Sequence, residues 1–316
     1  MIFDIILIIL SFILLWLGAG MSINGVEKLS KRLKISSFVV SFFVLGILTS
    51  LSEISVAYFS LANKVPEMSA GNLIGASVVL TLFIIPLYAI LNNGVKIDDR
   101  YGPINYDVAY FTIALPALLL LDKKIDFFDL LVIICALIIF SYTLKHKSRL
   151  LEKIEHAIII DRTDVVKELL KIIFGTVLIL LSSKFLVDMG LEYSQKLGTS
   201  TFLIGLFMLS IGTNLPEISI LVKAFLRKEK NIALGDFIGS GIINCVILIV
   251  LAFFNHREII INNGLKYNVF MLPLGALLFL FFSRNRKLER DEGIILIVMY
   301  IIFVVGEFMN FEFLII

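Results

Sequence analysis

GILTSLSEIS at residues 46–55 and SIGTNLPEIS at residues 210–219 read as two copies of one element. The copies stand 164 residues apart without a gap, so that Thr49 matches Thr213, Glu53 matches Glu217, Ile54 matches Ile218 and Ser55 matches Ser219. The register extends downstream to Gly71 with Gly235 and Gly75 with Gly239. Each copy places one glutamate in the middle of an apolar run. An acid at the centre of a bilayer costs about 2.5–3.5 kcal/mol on insertion scales, and more by other measures, so it is kept only where something compensates its charge. Two acids at one repeat position therefore point to a bound cation, and the pair decides both the fold and the site.

The rest of the chain supplies the membrane. Of 316 residues, 59% are hydrophobic, the mean hydropathy is +0.99, and long apolar runs alternate with short charged loops, as in polytopic helical membrane proteins. The net charge of +2 and the scatter of basic residues among loops give no stripe for nucleic acid. His146, His156 and His256 sit in or beside loops, and Cys135 and Cys245 are isolated thiols in apolar runs, without zinc or disulfide spacing. The N-terminal run from Ile2 to Leu17 carries Asp4 in place of a basic leader and is expected to be a retained first span.

Hydropathy predicts ten spans, at about 2–23, 37–62, 69–91, 106–121, 127–144, 166–189, 200–225, 232–254, 266–283 and 292–312. With the N-terminus outside, nineteen Lys and Arg fall in one set of loops and six in the other. The positive-inside rule then puts both termini outside and the basic loops in the cytoplasm. The longest polar connection, residues 146–165, separates a first five-helix repeat at 1–145 from a second at 166–316 and reads as a cytoplasmic linker. Five spans is an odd number, so the second half enters the membrane from the opposite side and the duplication becomes an inverted repeat, the architecture of secondary transporters. The fold class expected is an all-α membrane protein of ten transmembrane helices arranged as two inverted five-helix repeats.

The four-residue interval places Thr49 with Glu53, Thr213 with Glu217 and Ser240 with Asn244 on common helical faces. Carboxylate, hydroxyl, amide and carbonyl oxygens are the hard donors that Ca2+ prefers, and they also suit Na+. Two carboxylates balance one Ca2+, two Na+ or two protons, and charge alone leaves these three open. Pro216 lacks an N–H, which leaves the Gly212 carbonyl without its helical partner and lets neighbouring carbonyls such as those of Ser210 and Thr213 turn inward. Gly71 and Gly75, like Gly235 and Gly239, have the spacing of close-packed membrane helices. Lys184 and Asp188, four apart, read as a local pair or as groups reaching the interface. Asn72 and Asp236, at equivalent positions at the starts of spans three and eight, allow a helix-start or ion-entry role but read first as capping or solvated residues, and Glu307 and Glu312 as interfacial.

GTNLPE at 212–217 with GDFIGSGIIN at 235–244 resembles the second alpha repeat of the cation/Ca2+ antiporter superfamily, particularly its Na+/Ca2+ exchangers, and LTSLSE at 48–53 with GNLIGAS at 71–77 resembles the first. The resemblance implies that spans two, three, seven and eight gather around the membrane midplane, with Glu53 and Glu217 as the central Ca2+ carboxylates and the backbone oxygens of Thr49 and Thr213 beside them. It further implies a carbonyl ligand from Ser210, side-chain oxygens for Na+ from Ser240 and Asn214, and a polar position at Asn244. Ser50 and Gly46 correspond to Asn214 and Ser210 in the first repeat. Spans one and six would be the pair that slides past the fixed core.

The first repeat departs from that pattern. Ser52 stands for the usual proline, Leu48 for glycine, Ala76 for a serine ligand and Leu80 for asparagine or aspartate. Each change is expected to remove an oxygen or a reason for the helix to unwind. The leading function is a secondary antiporter exchanging Na+ for Ca2+ by alternating access, with the lipid bilayer as its medium and no cofactor. Exchange of Ca2+ or another cation for H+ is the alternative within transport, and a non-transporting scaffold or sensor is the alternative outside it. HExxH, GxSxG and Walker A patterns are missing from the sequence, so enzymatic chemistry and an ATP-driven pump are not expected.

Overall fold

The computed structural model describes residues 2–32, 46–96, 103–145, 162–227, 230–261, 271–284 and 287–309. The described residues form ten helical spans. Span one is Ile2–Arg32 and span two combines Gly46–Thr49 with Leu51–Ala62. Span three runs from Pro66–Val79 through a π-helical turn, Leu80–Ile84, into Ile85–Leu91. Span four is Pro103–Leu119 and span five Phe127–Lys145. Span six is Arg162–Leu197. Span seven begins at Thr201–Leu203, passes through a π-helical stretch, Ile204–Leu209, and continues as Ser210–Thr213 and Leu215–Arg227. Spans eight to ten are Lys230–Asn255, Met271–Ser283 and Arg290–Met309. The expected 146–165 connection lies outside the described residues up to 161, and its last four residues are already helical at the start of span six.

Helices outrun the hydropathy limits at their wet ends, because helical hydrogen bonding continues past the last apolar residue. Span six extends to Leu197, beyond the predicted limit of 189, and stops where Gly198 adopts φ +63°. The Gly198 N–H donates to the Gln195 carbonyl and the Thr199 N–H to the Ser194 carbonyl. These two bonds are the Schellman closure, which needs a left-handed residue at the helix end and so favours glycine there.

Two short ribbons, not expected from the sequence, tie the halves together. Val95–Lys96 after span three pairs antiparallel with Lys287–Leu288 before span ten, and Lys124–Ile125 before span five pairs with Ile259–Ile260 after span eight. The offset of 164 residues relates Val95 to Ile259 and Lys124 to Leu288, so the same exchange of strands occurs twice, once for each half.

Burial separates core from periphery. The most apolar stretch of span three is 83% buried, of span eight 67% and of span seven 61%, whereas span one is 28% and span six 33% buried. Spans one and six pack chiefly on each other, with Gly18 facing the Gly175 carbonyl. Their outer faces expose Ile6, Ile9, Leu17, Leu170, Ile173 and Leu181. So many exposed large apolar side chains on one surface suit lipid, where helices satisfy their own backbone polar groups. The core behind them is aromatic-rich, with Tyr110 edge-on to Phe279 at 4.7 Å between centroids and Tyr88 edge-on to Phe237 at 6.3 Å.

Small residues set the crossing of spans three and seven. A β-carbon at Gly71 would run into the Phe202 carbonyl, one at Gly75 into the Leu206 carbonyl, and one at Gly205 into the Met68 carbonyl. The backbones of the two spans thus touch on both sides of the crossing, the packing that glycines four apart permit. Gly205→Ala is therefore expected to destabilise the protein by about 1–3 kcal/mol, the usual penalty for overpacking a tight core. Gly20→Ala, whose β-carbon would meet nothing within 4 Å, is expected to leave the melting temperature unchanged. Thermal unfolding of both variants in detergent checks this, and equal melting temperatures would contradict the close crossing.

Candidate ion site

Spans two and seven are both interrupted at the same repeat position. Span seven breaks at Asn214, with φ −82° and ψ 4°, and span two breaks at Ser50, with φ −77° and ψ 4°. The break at Asn214 precedes Pro216, as the missing N–H requires. The break at Ser50 has no proline after it, which corrects the expectation that Ser52 would remove the reason to unwind. There the Ser52 Oγ lies 3.0 Å from the Thr49 carbonyl oxygen. A serine hydroxyl bonded back to a backbone carbonyl competes with the helical ladder and stabilises such a break.

The two breaks face one another and bring the two acids together. Glu53 and Glu217 are both 0% exposed and close enough to interact electrostatically. The Ser52 hydroxyl donates to Glu53 Oε2 at 2.8 Å and lies 3.4 Å from the Thr213 carbonyl of the other half. The Ser240 hydroxyl donates to Glu217 Oε1 at 2.9 Å, and its oxygen is 3.4 Å from that of Ser50, again across the repeat boundary. Thr49 also lies near Glu217, and Thr213 near Glu53, each across the repeat boundary. The remaining carboxylate oxygens, Glu53 Oε1 and Glu217 Oε2, are buried with no hydrogen-bond partner.

The other expected residues fall around this centre. Thr49, Ser50, Ser210, Thr213, Asn214, Ser240 and Asn244 are all buried, and Gly46 opens the short helix that ends at Thr49. The Ser210 carbonyl accepts the Asn214 side-chain amide at 2.6 Å, which leaves Asn214 Oδ1 unpartnered. Asn244 lies one turn beyond Ser240 on span eight, and both of its amide atoms are buried without partners. Ala76 and Leu80 are buried on span three, where they offer no oxygen.

The sequence reading gives two polar residues of the site the wrong weight, Asn72 as a cap first and an ion-entry group second, and Ser52 as a loss. Asn72 is no cap, because its helix begins at Pro66, and it is fully buried two turns in. Its Oδ1 lies 3.2 Å from Thr213 Oγ1, and its Nδ2 has no partner. Pro66 carried the signal, since proline favours the first helical position and so moves the helix start upstream of Asn72. Ser52 is the second, a hydroxyl gained where a loss was expected. Asp236 is not described at side-chain level. Asp188 is held by Asn63 Nδ2 at 2.8 Å, a link between spans six and two.

Among the described residues, no Lys, Arg or His forms an ion pair with Glu53 or Glu217, and no three His, Cys, Asp or Glu side chains cluster in a metal-binding group. The charged donors are thus two carboxylates, and neutral oxygens complete the shell. Two buried acids with no cationic partner carry an uncompensated desolvation penalty of several kcal/mol each unless a cation or protons join them.

Comparison with known proteins settles the family. The family model described as sodium/calcium exchanger protein matches this chain twice, at residues 3–145 and 167–309. The chain belongs to the sodium/calcium exchanger family. Its fold is accordingly the ten-helix membrane fold of two inverted five-helix repeats, shared with a family of transporters and not of enzymes. Crystals of the sodium-calcium exchanger NCX_Mj soaked with Na+ and Sr2+ contain a chain 25% identical to this one, with a TM-score of 0.65 over 96% of this chain and 99% of that one. An uncharacterised membrane protein of Methanocaldococcus jannaschii is 26% identical over 93% of this chain and 94% of its own length. A sodium/calcium exchanger of Methanosarcina acetivorans is 27% identical over 45% of this chain and 41% of its own length.

The hydroxyl of Thr213 joins span seven to Asn72 on span three. Asn72→Leu removes the acceptor and is expected to lower stability in ion-free detergent by about 1–3 kcal/mol, the range for stranding a buried polar group. A thermal-shift measurement reads the change, and a wild-type melting point would deny the link.

Proposed function

We propose that this protein is a secondary antiporter of the cell membrane that exchanges Na+ for Ca2+ by alternating access at a site built on Glu53 and Glu217. One observation carries the reading: two fully buried carboxylates, one from each half, meet at paired helix breaks, and each keeps one oxygen without a partner. Thr49 and Thr213 provide backbone oxygens, Ser50, Ser210, Asn214 and Ser240 further neutral donors, and Asn244 a polar neighbour on span eight. Na+ and Ca2+ compete for the same carboxylates, so that occupancy by one excludes the other and couples the two fluxes. Transport then runs on an ion gradient.

Spans one and six would be the moving pair, since they pack mainly on each other and are the least buried of the long apolar helices. They meet the core through an apolar cluster, in which Leu15, Leu186 and Val187 pack on Val56, Met68 and Leu209, and through polar links: the Trp16 indole donates to the Ser219 hydroxyl, and Asp188 accepts from Asn63 Nδ2. With both termini outside, residues 146–165 face the cytoplasm, as their basic content favours.

A second reading, exchange of Ca2+ for H+, rests on Ala76 and Leu80, which withdraw oxygens from the first-repeat side of the site. Purified protein in liposomes loaded with Na+ should take up radioactive Ca2+ when external Na+ is lowered, and Glu53→Gln or Glu217→Gln should abolish uptake. Uptake driven by a pH gradient without Na+ would decide for protons. Undiminished uptake in both variants would refute the site.

A further inference from the structure

The two halves supply a hydroxyl to their glutamates by different routes. In the second half it comes from the neighbouring span, as Ser240 Oγ donates to Glu217 Oε1 at 2.9 Å and sits 3.4 Å from Ser50 Oγ. Repeat symmetry assigns the matching place in the first half to Ala76, with Glu53 and Asn214 as the groups a hydroxyl there would serve. Ala76 is fully buried at that place and has no oxygen. One oxygen of each glutamate is unpartnered, Glu53 Oε1 and Glu217 Oε2 alike. The halves differ at the second group: Asn214 Oδ1 is buried and unpartnered, whereas its counterpart Ser50 Oγ has Ser240 Oγ 3.4 Å away.

The hydroxyl has moved. Ser52, at the position that proline holds in the second half, donates to Glu53 Oε2 at 2.8 Å, and its oxygen lies 3.0 Å from the Thr49 carbonyl and 3.4 Å from the Thr213 carbonyl. Its single O–H serves these acceptors one at a time, and its lone pairs remain free for a cation. The move changes position as well as partner. Ser240 and Ala76 flank the site from spans eight and three, whereas Ser52 Oγ stands among a glutamate and the two threonine carbonyls, one from each half. With alanine at 76, the flank on span three offers no side-chain oxygen. An oxygen at the centre adds to the six to eight that a Ca2+ ion requires.

Resting on the ion-site reading above, we propose that Ser52 is a specificity-determining residue, which supplies the central oxygen that holds a divalent cation between Glu53 and Glu217 while the Ala76 flank has lost its place for Na+. The first repeat is then retuned rather than degraded: it gives up a monovalent position and strengthens the divalent one. Its proline has been exchanged for a residue that can both stabilise the break, through the Thr49 carbonyl, and enter the coordination shell.

The test separates hydroxyl from helix break. Ser52→Ala, Ser52→Pro and Ser52→Thr are reconstituted beside wild type, with half-saturating Ca2+ for uptake, half-inhibiting Na+ and Ca2+-induced thermal stabilisation as readouts. Ser52→Ala and Ser52→Pro are each expected to raise half-saturating Ca2+ about tenfold and to shrink the thermal stabilisation, the loss expected for a bond to a charged group. Half-inhibiting Na+ is expected to change by less than about twofold, and Ser52→Thr, which keeps the hydroxyl, to stay within about twofold of wild type on every readout. Adding Ala76→Ser to wild type is expected to lower the half-inhibiting Na+ concentration by restoring the flank. Wild-type Ca2+ dependence in Ser52→Ala, or recovery of it by proline alone, would overturn the proposal. Glu217→Gln run in parallel keeps the two readings apart: transport lost in Glu217→Gln but indifferent to Ser52 defeats only the role of Ser52, whereas transport indifferent to Glu217 defeats the site itself.

Discussion

Two carboxylates held out of water against one another form the constraint on which the rest of the structure depends. Each would lose several kcal/mol by desolvation, and their mutual repulsion grows as the dielectric falls. Hydrocarbon cannot relieve that strain and no basic side chain among the described residues does. The surroundings instead consist of neutral dipoles: hydroxyls from Ser52 and Ser240 on the acids, and the Thr49 and Thr213 carbonyls beside Ser52. These dipoles relieve only part of the desolvation. On the function proposed above, the fold holds two acids together where a cation or protons complete them.

Everything around the site serves that end. The breaks at Ser50 and Asn214 need rigid backing, which spans three and eight provide from the buried centre of the bundle. Span three can press its backbone against span seven only because Gly71, Gly75 and Gly205 have no side chains. The ribbons at Val95 with Leu288 and Ile125 with Ile259 stitch the halves at two related places, so that neither half is an independent unit. Spans one and six pack chiefly on each other, meeting the core through the cluster of Leu15, Leu186 and Val187 with Val56, Met68 and Leu209 and a few polar contacts, and lipid through wide apolar faces.

Much of this was legible in the sequence because it is carried by periodic, one-dimensional signals. Apolar runs of membrane length gave the ten spans, and the unbroken offset between Glu53 and Glu217 gave the repeat and its centre. What stayed hidden depends on where a helix starts or on what one hydroxyl touches. Asn72 passed for a cap because hydropathy set the span at residue 69, whereas Pro66 begins it. Ser52 passed for a loss because a missing proline says nothing about a gained O–H. The ribbons were invisible because two-residue strands have no periodicity, and their pairing is imposed by the helices on either side.

The central claim is that Glu53 and Glu217 hold one ion jointly, and diffraction from crystals soaked in Sr2+ or Ca2+ tests it most directly. The account predicts one strong anomalous peak between the paired breaks, within about 2.3–2.6 Å of an oxygen from each glutamate for Ca2+, and its disappearance on soaking in high Na+. Saturating divalent ion with no peak there, or a peak that touches neither glutamate, would contradict it.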